Sequence, residues 1–281
     1  MSAVPEVRPS PIAGKWYSAD PEALSQQVDG YLQAARLPDL PGAVVALIAP
    51  HAGHRYSGGT AGYAFAAVAG QPRDLVVVVS PMHESHPAAL LTTAHRAYAT
   101  PLGQVPVDEE ALRRLEVALM TDRLALTRLA NDREHSLEIE LPFLQRALPG
   151  DFQLLPLMIR SQSPLVARRL GNALAQTISH RRFLLVASTD LSHFYPEEQA
   201  RELDLEMLRR IRAFSPDDLF AAERTGKGFA CGVAAVAAVL WAARALGGKT
   251  VEILHHSTSA DQTGDRRSVV GYGAAVVLKH A

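Results

Sequence analysis

The 281-residue chain carries 28 basic and 29 acidic side chains, for a formal net charge of −1 with histidine neutral. That balance argues against a protein built to hold nucleic acid by bulk charge. Hydrophobic residues at 48% and charged residues at 20% fit a globular protein with a substantial core. The single cysteine excludes an intramolecular disulfide and fits a reducing compartment. Met1 to Arg8 lacks a basic start followed by an apolar run, so no signal peptide is expected. The most apolar stretch, Phe229 to Ala245, is shorter than the roughly 20 residues that span a bilayer and reads as a buried helix. The expectation is a cytoplasmic protein with neither membrane nor nucleic-acid partners.

In chain order, Ala43 to Ala49, Leu75 to Ser80, Phe152 to Ile159 and Phe183 to Ser188 are short continuous apolar runs near turn residues. Such runs suit strands covered on both faces. Val251 to Leu254 and Ser268 to Leu278 add late strands, and the two glycines of the second predict a bulge or a close approach. Helical windows lie between them at Gly59 to Ala69, Asp108 to Leu119, Pro164 to Ile178, Glu197 to Ala213 and Cys231 to Leu246. Asp108 is a capping residue, and Gly247-Gly248 stops the last helix. The alternation predicts one α/β domain over residues 1–281, in three layers, with a central mostly parallel or mixed sheet flanked by helices. No Gly/Ser/Pro-rich linker or internal repeat divides the chain.

Three predicted strands each deliver a histidine soon after their C-terminal ends. They are His51 in Ala49-Pro50-His51-Ala52-Gly53, His83 in Ser80-Pro81-Met82-His83, and His193 in Ser188-Thr189-Asp190-Leu191-Ser192-His193. In an open, mostly parallel sheet those ends form the ligand crevice. Imidazole is both the commonest metal ligand and the usual base near neutral pH. Cys231 opens its predicted helix, where the helix N-terminus favours thiolate, as a metal ligand or a nucleophile; the alternative is a small buried hydrophobe. Asp190 either holds an imidazole tautomer or caps a helix.

Asp132 to Phe143 is the densest polar stretch. If it is helical, Glu134 and Glu138 share a face, with His135 beside them to orient a ligand. A capped helix start with acidic residues in its first turn explains it equally. It is not the zinc-protease H-E-x-x-H arrangement, because the second histidine is missing. Gly58-Gly59 before a helix suggests an anion-holding turn, without the phosphate-loop spacing.

Together these segments resemble the Memo protein family, which includes protein B of the AmmeMemoRadiSam system. The likeness is carried, nearly end to end, by Ala13-Gly14-Lys15-Trp16-Tyr17, Ala49-Pro50-His51-Ala52-Gly53, Tyr56-Ser57-Gly58, Ser80-Pro81-Met82-His83, Glu134-His135-Ser136-Leu137-Glu138 with Leu141-Pro142-Phe143, and Ser188-Thr189-Asp190-Leu191-Ser192-His193. Cys231-Gly232, Asp261 and Val269-Val270-Gly271-Tyr272 complete the order. The resemblance implies the fold of class III extradiol ring-opening dioxygenases. It implies His51, His83 and Cys231 as metal ligands and His193 as the pocket acid/base with Asp190 beside it. His135, Glu138 and His54 would form the surrounding shell, and radical-SAM system proteins would be partners.

His54 stands where the family usually has tyrosine, Glu84 where many members carry a second histidine, and Ala260 where a glycine is usual. The donor set suits iron or copper, with zinc also compatible. Three functions follow: redox or dioxygenase-like chemistry on a small molecule, a binding module that takes a peptide or partner in the old pocket, and a cysteine-nucleophile enzyme using Cys231 with His193.

Overall fold

The apolar runs become strands in a computed structural model describing residues 5–280. The first half of the chain runs β1 (Val7–Arg8), α1 (Pro21–Ala34), β2 (Ala43–Ala49), α2 (His54–Ala66), β3 (Leu75–Pro81), β4 (Leu90–Thr93), β5 (Ala97–Thr100), β6 (Gly103–Pro106), α3 (Glu109–Thr121) and β7 (Leu126–Leu129). The second half runs α4 (Leu141–Ala147), β8 (Gln153–Ile159), α5 (Pro164–Ile178), β9 (Phe183–Ser188), β10 (His193–Tyr195), α6 (Glu197–Arg212), α7 (Pro216–Arg224), α8 (Val233–Ala245), β11 (Thr250–Thr258), α9 (Ala260–Thr263) and β12 (Val269–Lys279).

The four most apolar strands pair in parallel in the order β2-β9-β3-β8. They are buried almost throughout, as strands covered on both faces must be. Antiparallel β12 extends the sheet beyond β2 and pairs with both β10 and β11, while β4 and β7 extend it beyond β8. The sheet is therefore mixed. A separate small sheet joins β1, β5 and β6.

Successive residues of β11 show the layering, because neighbouring side chains on a strand point to opposite faces. His255 and Ser257 meet Thr60 of α2, whereas His256 meets Asp204 of α6. Helices α1, α2 and α4 pack together on the first side. On the other, α6, α7, α8 and α5 form a chain of contacts, with α8 against β2, β3, β8 and β9. One hydrophobic cluster reaches from Ile12 to Leu278 across these layers.

Several local expectations are sharpened. Asp108 caps α3 through the Ala111 amide, 2.9 Å away. The stretch from Asp132 to Leu137 is not helical; only a 3-10 turn at Glu138–Glu140 precedes α4. Gly58 and Gly59 lie inside α2, where Gly58 faces the Tyr31 ring rather than an anion. Ala260 sits in α9 with ordinary right-handed backbone, so no glycine is required there. Among the described residues no helix is long and apolar enough to cross a membrane.

Candidate metal centre

Adjacent parallel strands end together, and that geometry assembles the site. His51 lies two residues beyond β2, His83 two beyond β3, and Asp190 two beyond β9, which is paired with both. Cys231 precedes α8, which packs on the same strands. His51, His83 and Cys231 each bring one ligand atom within 4.8 Å of the others. The Cys231 Sγ lies 3.1 Å from His51 Nε2.

Cys231 is not the first residue of its helix. Gly232 is the N-cap and Val233 the first helical position, so the thiol stands in the preceding turn. The expected thiolate-favouring effect gives way to burial, reinforced by the Asp190 charge, which pushes the free thiol well above its ordinary range. The Asp190 amide, 3.2 Å from Sγ, and Gly232 amide work the other way without overcoming it.

The Glu134 carboxylate organises His83. Its Oε2 accepts from the His83 amide at 2.6 Å, and its Oε1 lies 2.9 Å from His83 Nδ1 and accepts from the amides of His135 and Ser136. Burial would raise this carboxyl, but the His83 contacts and amides hold it far below the usual range. An ionised carboxylate only accepts, so His83 Nδ1 carries the proton and Nε2 is left as donor to a metal. For His83, burial lowers the pKa, but the bond to Glu134 and its charge raise it overall. His135 stacks on His83 at 4.7 Å between ring centroids, and Trp16 covers His135 at 4.1 Å. Burial brings His135 down to about 4. His83, Glu134 and His135 also form a compact group of potential ligand atoms, but Glu134 already accepts from four N–H groups.

Asp190 acts on the His51 turn. Its Oδ1 accepts from the backbone amides of His51 at 2.8 Å and Ala52 at 3.3 Å. Burial raises its carboxyl to about 7. His51 itself is fully enclosed; burial, then the charges of His135 and His83, push it well below its ordinary value. Its Nδ1 lies 2.9 Å from Ser188 Oγ.

His193 has its own support. The Leu191 carbonyl, 2.9 Å from Nδ1, only accepts, so the ring proton sits there and Nε2 is free. Burial lowers the His193 pKa, partly offset by that bond. The loop is pinned by buried Asp204 of α6, whose Oδ1 accepts from Ser192 N at 2.8 Å while Oδ2 lies 2.9 Å from His256 Nε2. Gly271 makes this arrangement fit, because a Cβ there would overlap the Asp204 carboxylate. The expected close approach of β12 is thus met at this glycine. Phe194 follows with φ of 65°, a left-handed conformation rare for a bulky residue, and the residue is 75% exposed.

Two expected neighbours lie elsewhere. The Glu138 carboxylate is engaged by Arg8, Ser10 and Tyr17, not by the imidazoles. His54 stands at the start of α2 with Nε2 3.1 Å from the Ile139 carbonyl and its ring against Tyr17 and Phe143. Glu134, Ser188, Asp204 and Trp16 supply the contacts instead. A cavity of about 260 Å³ holds His193 and Cys231 together with Tyr195, Glu223 and Phe229. A larger cavity, about 630 Å³, reaches the site through neighbours: Ala52 and Gly53 after His51, and Phe194 after His193, with Trp16, Tyr56 and Tyr272.

Comparison with known proteins places this arrangement. A family described as "Memo-like protein" matches residues 8–276. A MEMO1 family protein of Nitrosopumilus maritimus is 32% identical over 273 residues, covering 95% of this chain and 98% of its own. One from Thermotoga neapolitana is 35% identical over 284 residues, covering 96% and 99%. The crystal structure of an uncharacterised Escherichia coli K12 protein shares the fold with a TM-score of 0.56 at 16% identity, over 83% of this chain and 100% of that one. With the family signature spanning nearly the whole chain and relatives above 30% identity over nearly their full lengths, the chain belongs to the Memo family.

Proposed function

We propose that this Memo-family protein binds one transition-metal ion through His51, His83 and Cys231. The observation that carries this reading is the convergence of three ligand atoms of suitable type within 4.8 Å. The donor set fits: the His83 proton is held on Nδ1 by Glu134, so Nε2 is available without rearrangement. Two imidazoles and a thiolate leave room for a further ligand and favour iron or copper, with zinc also accommodated. A bound iron or copper ion supplies redox chemistry of the dioxygenase-like kind, and zinc supplies Lewis acidity.

The protein's own groups then have defined work. Cys231 would give up its thiol proton to solvent on ligating a metal. Asp190 holds the His51 turn, and Glu134 holds His83. His193 presents an unprotonated Nε2, kept neutral by burial, to take a proton from a bound molecule. The 630 Å³ cavity has the size to hold a small organic substrate or a short peptide segment. The raised Cys231 thiol supports a ligand role over a nucleophilic one, which needs thiolate in the free protein. A thiol ligand persists best in a reducing compartment, and we place the protein in the cytoplasm.

Elemental analysis of protein purified without oxygen tests the reading. The expected result is about one metal per chain, lost in His51→Ala/Cys231→Ala. Unchanged metal content in that double variant overturns it. A binding module using the aromatic cavity becomes the better account if the protein is metal-free yet captures peptides that a Trp16→Ala/Tyr56→Ala variant does not.

A further inference from the structure

Glu140 is fully buried, lies outside the ligand set, and has one oxygen, Oε2, with no hydrogen-bond partner. Its other oxygen is 2.6 Å from Ser188 Oγ. The same hydroxyl lies 2.7 Å from the Ser136 carbonyl and 2.9 Å from His51 Nδ1. Ser188 has a single hydrogen and two lone pairs for these three neighbours.

Only one distribution of protons gives each contact its own hydrogen. With Glu140 ionised, both it and Ser136 O are acceptors competing for the one Ser188 proton, and one close oxygen pair is left with none. With Glu140 neutral, its O–H donates to Ser188 Oγ, Ser188 donates to Ser136 O, and the remaining lone pair accepts from His51 Nδ1–H. The alternative in which Ser188 donates to His51 leaves Ser136 O facing Oγ with no hydrogen between them. We propose that Glu140 is held as a neutral acid and, through Ser188, fixes His51 as its Nδ1–H tautomer, with Nε2 turned toward Cys231.

Independent physics agrees. A carboxylate with one bare oxygen in the interior carries a large desolvation cost, which the neutral acid avoids. Burial, together with the Asp190 charge, pushes Glu140 well above its ordinary value despite the Ser188 bond. Glu140 touches neither ligand atom nor cavity, so it is a positioning residue. His83 and His51 are then wired alike by different chemistry: an ionised carboxylate holds one Nδ1–H and a hydroxyl backed by a neutral acid holds the other.

The tautomer stands by itself; its effect on affinity rests on the metal reading. Infrared spectra of the metal-free protein at neutral pH are expected to show a carboxylic-acid carbonyl band that Glu140→Gln removes. Nitrogen NMR of the imidazoles is expected to show His51 protonated at Nδ1. Gln keeps an N–H donor for Ser188, so Glu140→Gln retains the tautomer, whereas Glu140→Leu and Ser188→Ala yield mixed tautomers. If metal binds, Leu and Ala variants lose about 10- to 100-fold in affinity while Gln stays near wild type. Thermal unfolding reports whether each variant is folded, and Ser188→Ala serves if Glu140→Leu is not. Absence of the acid band, or an unchanged His51 tautomer in a folded Glu140→Leu or Ser188→Ala variant, overturns the proposal. Absence of metal in every variant defeats only the proposed function.

Discussion

Replacing Arg8 by methionine tests how the N-terminal segment is tied to the site. The guanidinium is 1% exposed and reaches Asp132 at 2.8 and 3.1 Å, the Glu134 carbonyl at 2.8 Å, and Glu138. Methionine roughly fills the space but leaves the fully buried Glu138 carboxyl and nearly buried Asp132 without their cation. Breaking one side of a buried pair costs about 3–5 kcal/mol. For a chain of this size that corresponds to a fall in Tm of about 10 °C. Glu138 is already raised by burial despite Arg8, so neutralising it is the protein's way out. Arg8→Met/Glu138→Gln therefore recovers at least about 1 kcal/mol of the loss, a coupling that a double-mutant cycle in urea measures. A loss below about 1 kcal/mol in the single variant, or strict additivity in the double, refutes the reasoning.

Acid should destabilise the metal-free protein through His54. Burial lowers its pKa from 6.5 to about 4, so the unfolded chain binds the proton first and stability falls as pH drops from 6.5 toward 4. Its share reaches about 3 kcal/mol at the bottom of that window and is absent above it; urea midpoints of wild type and His54→Phe, compared across pH, should diverge there and run parallel above pH 7. Glu134→Gln replaces the charged acceptor of His83 Nδ1–H, and competition titration should show metal affinity falling about 10- to 100-fold. Gly271→Ala drives a methyl into Asp204 and should cost about 2–3 kcal/mol or more in chemical unfolding. Most of that cost should vanish in an Asp204→Ala background, and equal cost in both backgrounds contradicts the packing argument.

The strand framework was legible because burial on both faces leaves unbroken apolar runs. Ala43–Ala49 and Phe183–Ser188 have the bounds read from sequence, and two of the three histidines beyond strand ends, His51 and His83, come together with Cys231. What sequence could not resolve was side-chain partnership. Glu134 and Glu138 have the spacing of a shared helix face, but residues 132–135 are irregular, held by Arg8 and His83, and 136–137 form a turn, so the two carboxylates part ways. Asp190 was legible as important yet not as the clamp of His51, because that pairing spans 139 positions. Asp204 did leave a signal. It occupies the buried stripe of α6 formed by Ala200, Leu203, Met207, Leu208 and Ile211, where an unpaired acid would be expelled.

The distances along the chain between site partners have a kinetic meaning. His51 and Cys231 are 180 positions apart, and Glu134 meets His83 across 51. Bringing such segments together as an isolated chelate would close several long loops at an entropic cost of several kcal/mol. An ion cannot template this chain as it does a zinc finger. The parallel β2-β9-β3 pairing, itself made of distant segments, must form first, and the donors are delivered by its completion. On the proposed metal reading, an ion would meet a finished receptor. Its uptake would read out global folding, and an excised half of the chain would carry only part of the proposed donor set.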